Sequence, residues 1–318
     1  MSVTASAVVP SYSSPGMLMK ENFADLLNVQ FKTIRKREFA QPIQGLQFFK
    51  IETTSKDYEK HSYVTGIGLM PKNRDAQALP FAEPIQGFDN TFTPEDFRLA
   101  IRIEKRLRET DQYGVISKQM MSLTQSSKDT VEYYAADPFN TGFGVGASWL
   151  CADGMYLFDS ARPMEDKSQG SWSNLESASA LTQTSLATMR VNFRKHVNER
   201  GLKRPLVMKA LIVPAALEDT AAVLMGSLQK PGVFLNDKNV YQNKFEVKVW
   251  DYLSSDTAWF GQTDAKSVAN ELFWYWRVKP ETVSNTLADN PDIWQARIRM
   301  SFVTGCDRPA NIRGNAGA

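Results

Sequence analysis

A chain of 318 residues, 42% of them hydrophobic, carries enough apolar mass for one large domain or two to three modest ones. Its formal net charge of +2 excludes the strong basic bias of a protein that grips nucleic acid by counterion release. Its two cysteines, Cys151 and Cys306, are far apart in sequence, which argues against a disulfide framework or a cysteine-rich zinc site and for a reducing compartment.

Residues 1 to 16, MSVTASAVVPSYSSPG, have no positive residue ahead of a brief apolar patch, and no apolar run in the chain is long enough to span a bilayer. Neither export nor membrane insertion is expected, and the segment reads as an arm that orders when something holds it. In MKENFADLLNVQFKTIRKREF, the residues Phe23, Leu27, Phe31 and Ile34 repeat at three to four, which predicts a helix whose apolar stripe needs a covering surface. From Gly45 to Gly87 the pattern becomes two extended pieces, LQFFKIETT and HSYVTGIGLM, read as a long two-stranded excursion. Its apolar residues Phe48, Phe49, Tyr63, Val64, Ile67 and Leu69 are numerous for a hairpin that is unstable alone, so the rest of this chain or another chain must cover them.

FRLAIRIE alternates, with Phe97, Leu99, Ile101 and Ile103 on one face and Arg98 and Arg102 on the other, which predicts a half-buried strand. Tyr113, Ile116, Met120, Leu123, Val131 and Tyr134 then keep a helical rhythm up to Pro138, for roughly 28 residues and a rod of about 42 Å. A further helix is expected from Ser173 to Gly201, opened by a Ser173/Glu176 capping box and closed by a left-handed glycine. In MKALIVPAALEDTAAVLMGS an apolar strand passes through Pro214 into a helix with Leu217, Ala221 and Leu224 inward and Gly226 at its end. That junction lacks a free N–H at Pro214 and any glycine for close approach, so it reads as scaffold. Strands follow in KFEVKVWDYL, AWFGQ, ELFWYWRV and IWQARIRMSF, and the chain closes on an extended RPANIRGNAGA.

Chemistry finds little to stand on. His61 lies in the charged excursion beside Lys60 and His196 at the end of a helix, neither with a partner motif for acid-base work. Gly142, Gly144 and Ala147 match G-x-G-x-x-A, but no strand precedes and no helix follows, so the glycines mark a turn. There is no phosphate-binding loop, no H-E-x-x-H and no calcium loop, and no catalytic, cofactor or metal residue is assigned. FWYWRVK at 273 to 279 suits a strand covered on both sides better than a stacking platform for bases. Arg98, Arg102, Lys105, Arg106 and Arg108 form the densest basic patch, read as a solvated face or ion pairs between subunits.

Taken in order, MYLFDSARP, SNLESASAL, RPLVMKALIVPAALEDTAAVLMGS, YLSSDTAWFGQ and IWQARIRMSFVTGCDRPANIRG resemble successive landmarks of the Hong Kong 97-type major capsid proteins of tailed bacteriophages, from about residue 20 to the end. The resemblance implies an α+β capsid fold with an N-terminal arm at 1–44, an extended loop at 45–87, a peripheral domain at 88–144 and 271–318 with a long spine helix, and an axial domain at 145–270. It implies a non-enzymatic virion protein that self-assembles into hexamers and pentamers of an icosahedral head enclosing double-stranded DNA. The residues expected at subunit contacts are Phe23, Leu27, Phe31, Phe48, Phe49, Tyr63, Ile67, Arg102 and Arg106. Expected partners are further copies of the chain, a scaffolding protein, a portal, decoration proteins, and packaged DNA touched weakly and without sequence preference; no cofactor or membrane is implied. No charged coiled-coil segment precedes residue 20, so the scaffold is expected to be separate or removed by a protease, and assembly is placed in the host cytoplasm. An encapsulin-like nanocompartment shell shares the fold and is the nearest alternative; a cytoplasmic α/β enzyme is a more distant one.

Overall fold

The computed structural model describes residues 33–34, 43–72, 81–104, 106, 114–144, 150–229, 238–264, 271–286 and 292–318. These belong to two compact units, one containing residues 98–127 and 280–299, the other Pro42–Phe97, Lys128–Lys279 and Met300–Ala318. The helix expected around Phe23, Leu27 and Phe31 lies outside the described residues, except that Thr33 and Ile34 are helical.

The expected excursion divides at residue 54. Gly45–Phe48 is a short 3₁₀ turn, and β1 (Lys50–Thr53) pairs in parallel with residues 273–276 of the long strand β11 (Leu272–Thr286). Phe48 and Phe49 are therefore buried in this chain's own core, where Phe48 meets Phe139 and Trp250 and Phe49 meets Phe139 and Trp274. This corrects the expectation that both rings wait for a neighbour. The sequence leaves the choice of cover open, and the parallel pairing to β11 makes it. Only the second stretch forms the hairpin: β2 (Glu59–Val64) pairs antiparallel with β3 (Gln86–Phe92).

β4 (Glu95–Glu104) is the alternating FRLAIRIE, with Ile103 buried and Ile101 partly so; Leu99 stays half exposed. Helix α1 (Val115–Asn140) has 26 residues, about 39 Å at the standard rise. It continues through Pro138, where the sequence predicts a stop. A proline two residues from a helix end removes only one ladder bond, and Thr141 N–H closes the turn on Asp137 O at 2.9 Å. Ile116, Met120 and Leu123 pack with Ile103, Trp294, Ala296 and Ile298, the latter three from β12 (Ile293–Cys306), as the core of the smaller unit. Val131, Ala135, Ala136 and Phe139 join the main core of the larger one.

β5 (Arg162–Pro163) and β6 (Ser171–Trp172) form a small antiparallel pair. The helix expected at 173–201 is shorter: α2 spans Gln183–Arg194, and its capping box is Thr182 with Ser185. Leu175–Glu176 is instead strand β7, and the Glu176 carboxylate takes Arg313 Nε at 2.6 Å and Asn192 Nδ2 at 2.6 Å. Ion pairing with a residue 137 positions away outcompetes a local cap. Gly201, at φ 72°, serves a tight turn in which its N–H reaches Asn198 O, not a helix end. His196 accordingly follows the helix and is buried edge-on to Trp172.

β8 (Ala210–Val213) runs antiparallel to β10 (Trp259–Gln262) and parallel to β9 (Glu246–Val249). β10 pairs with β13 (Ile312–Asn315), and β13 with β7, giving the order β7-β13-β10-β8-β9. The expected extended tail thus contains a fully buried strand. Side chains alternate across this sheet, so Leu211, Val213 and Trp259 pack on Leu186, Met189 and Phe193, while Ile212, Phe260 and Ile312 pack on Phe139, Phe158 and Trp250. Cover on both faces is why ALIV reads as an unbroken apolar run. After β8, Pro214 is extended, Ala215–Leu217 makes a 3₁₀ turn, and α3 (Glu218–Gly226) follows, ended by extended Ser227. A second sheet has the order β1-β11-β12-β4. In it FWYW is covered on both faces, Trp274 and Trp276 by the main core and Phe273 and Tyr275 by Phe92.

Candidate assembly surface

In EKHSYV the burial alternates strictly, so Glu59, His61 and Tyr63 face inward and Lys60, Ser62 and Val64 face out. The inward residues fasten the hairpin to the rest of its unit. His61 sits among the rings of Phe92, Phe273 and Tyr275, with Nδ1 2.6 Å from Asp307 Oδ2 and Nε2 2.8 Å from Tyr275 Oη. The bond to Asp307 raises the His61 pKa against the opposing effect of burial. Asn90 Nδ2, from β3, adds bonds to Cys306 O at 3.1 Å and Asp307 Oδ1 at 3.2 Å.

Further along, Tyr63 Oη donates to Glu199 Oε1 at 2.7 Å, and Arg308 Nη1 donates to the same oxygen. Burial, then the Glu199 carboxylate, pushes the Tyr63 pKa up. Burial alone would raise Glu199; the Tyr63 hydroxyl and the Arg308 charge outweigh it and hold the carboxyl low. Glu271 is raised to about 7, first by burial and then by the charge of Asp307. Thr65 N–H to Ile85 O at 2.9 Å extends the ladder beyond β2, and Arg200 Nε donates to Gly66 O at 2.8 Å.

Beyond these clamps several large apolar residues among the described ones are exposed. Ile67 is 68% exposed, Leu69 79%, Met70 95% and Phe81 91%, with Val64 beside them. These four large apolar side chains all lie on the connection between β2 and β3, a concentration of exposed apolar surface unlike leucines scattered singly. Of the residues expected at contacts, Ile67 is in this patch, and Tyr63 is half-buried in the clamp. Phe48 and Phe49 are in the core, Arg102 and Arg106 are exposed in or near β4 of the smaller unit, and Phe23, Leu27 and Phe31 are outside the described residues. Met70 and Phe81 escaped the sequence reading because neither belongs to a periodic pattern; the cue was GIGLMP, an apolar run between glycines and proline with no alternation to bury it. Among the described residues no group of three or more His, Cys, Asp or Glu is arranged to hold a metal ion, and no helix is long and apolar enough to cross a membrane.

The phage capsid protein family model matches residues 89–314. The capsid structure of the Cyanophage P-SCSP1u superposes with a TM-score of 0.56 at 10% identity, over 86% of this chain and 87% of that one. A structure from Mycobacterium phage Adephagia gives 0.55 at 11% identity, over 87% and 91%. The bacteriophage JBD30 capsid decorated with minor capsid protein trimers gives 0.50 at 13%, over 67% and 91%. No curated protein matches by sequence. At such identities the superpositions show a common fold, the α+β capsid fold expected from the landmarks, while the family match covers most of the chain. The chain belongs to the phage capsid protein family, as a capsid protein of a phage head.

Proposed function

We propose that copies of this chain assemble into hexamers and pentamers of an icosahedral shell around double-stranded DNA in the host cytoplasm, with the β2–β3 hairpin laid on a neighbouring copy. The observation that carries the reading is the exposed apolar patch of Ile67, Leu69, Met70 and Phe81 on a hairpin clamped at its base. The clamp fixes the direction of the hairpin, so little ordering entropy remains to be lost on docking. In this reading residues 1–44 act as an arm with Phe23, Leu27 and Phe31 as its contacts. The peripheral domain comprises 88–144 and 271–318, the axial domain comprises 145–270, and Arg102 and Arg106 form ion pairs between subunits. A scaffolding protein, a portal and decoration proteins complete the assembly, and no step of it requires catalysis.

The test is the double variant Ile67→Asp with Met70→Asp. Carboxylates in an interface that excludes water lose their hydration without a partner. Subunits should stay folded with an unchanged melting temperature, while particles counted by electron microscopy fall about tenfold or more. Normal shells from this variant would remove the hairpin from the assembly mechanism.

A further inference from the structure

Cys151 and Cys306, the chain's only cysteines, are both free thiols and both buried. Although far apart in sequence they fold side by side. Ala152 N–H donates to Cys306 O at 3.2 Å, and both cysteines belong to the main core. Their surroundings differ. Cys151 Sγ reaches Tyr156 O at 3.9 Å, and the same carbonyl takes Arg162 Nη1 at 2.5 Å. That guanidinium is fully buried, pairs through Nη2 with Asp153 Oδ1 at 2.8 Å, and leaves its Nε without a hydrogen-bond partner. Cys151 thus has a fixed cation on its side, and Cys306 is completely buried.

We propose that Cys151 and Cys306 form a redox site in which a small peroxide oxidises the pair to an intrachain disulfide once the protein meets an oxidising medium. The Cys151 thiolate attacks one peroxide oxygen and the O–O bond breaks. This gives Cys151 sulfenic acid and hydroxide, which takes up the proton that Cys151 gave up and leaves as water. Cys306 sulfur then attacks the sulfenic sulfur, and the displaced hydroxyl leaves as a second water with the Cys306 proton. Two thiols and one peroxide become one disulfide and two waters. The acidities fit these roles. Burial would raise Cys151, but the Cys306 hydrogen bond and the Arg162 charge lower it, as a reactive thiol requires. Burial leaves Cys306 high and protonated, as the resolving partner. Cys151 keeps a 4% exposed margin, whereas Cys306 has none.

The bond would tie the segment after α1 to the end of β12 and close a long loop of chain, so oxidation should raise the melting temperature by about 5 °C or more. The experiment treats the purified full-length chain with hydrogen peroxide at one equivalent. The expected product is monomeric, lighter by two hydrogens, without titratable thiol, and yields one crosslinked peptide containing both cysteines. Cys306→Ala should stop at a sulfenic acid on Cys151, trapped by dimedone once the chain is unfolded, and Cys151→Ala should leave Cys306 unmodified. Two titratable thiols surviving in the wild type, disulfide-linked dimers, or sulfenic acid on Cys306 would each overturn the proposal. Were Cys306→Ala unable to fold, the wild-type mass and peptide map would decide alone.

Discussion

Replacing Phe48 by alanine separates a core residue from an interface residue, because the two roles differ in what an isolated subunit loses. The Phe48 ring is fully buried, 4.8 Å from the Trp250 ring centroid and 6.1 Å from that of Phe139, with Lys248 Nζ 5.6 Å above it. A buried phenylalanine covers roughly 150 Å² or more, so at about 25 cal/mol per Å² burial alone contributes about 4 kcal/mol. The cavity left by truncation keeps the expected loss within about 3–5 kcal/mol. Against a total stability of roughly 5–15 kcal/mol, that is a large share. Urea unfolding of dilute, unassembled subunits should show the midpoint fall, and the melting temperature should drop by roughly 4–7 °C. The backbone anchor, Gln262 Nε2 to Phe48 O at 2.8 Å, remains in the variant, so the loss reports the ring. A loss below about 1 kcal/mol accompanied by failed particle formation would refute this reasoning and return Phe48 to an interface.

Glu271→Gln tests the carboxylate at the base of the hairpin. Its folded pKa near 7 lies above the ordinary 4.5, so the folded state holds the proton more tightly. The associated stability is complete below about 4.5 and is lost as pH rises through about 7. The difference between those values corresponds to about 3 kcal/mol. Variant and wild type should therefore match near pH 4.5, with the variant more stable at pH 8 by up to that amount; parallel curves across the range would contradict it. His61, also raised, titrates in both proteins and cancels from the comparison. Gly314→Ala should cost about 1–3 kcal/mol by urea midpoint, because a Cβ on this central strand would lie 2.7 Å from Phe158 Cδ1 and Cγ. An unchanged midpoint would mean that Phe158 yields without strain.

Some of the fold was readable because it rests on local periodicity. The long helix α1, the ALIV strand passing through Pro214 into α3, and the doubly covered FWYW stretch all follow from side-chain spacing within a dozen or so residues. The error at the capped helix arose where a distant contact overrode a good local pattern. SNLE matches a capping box, but Arg313, brought in by β13, pairs with Glu176, and the cap is made by Thr182 and Ser185 instead. For the candidate surface, Ile67 was found by its apolar character, whereas Met70 and Phe81 have no period that would mark them.

The sequence by itself determined the class of protein: the order of landmarks, the absence of catalytic motifs and an apolar excess on an excursion that could not cover it alone. Only the tertiary structure decided which of those apolar residues are spare. Parallel pairing of β1 with β11 draws Phe48 and Phe49 into the core, while the clamps at His61 and Tyr63 hold Ile67, Leu69, Met70 and Phe81 out in solvent. Hydrophobicity is a property of a residue and is written in the chain. Burial depends on contacts between residues tens to hundreds of positions apart, and no local pattern encodes them.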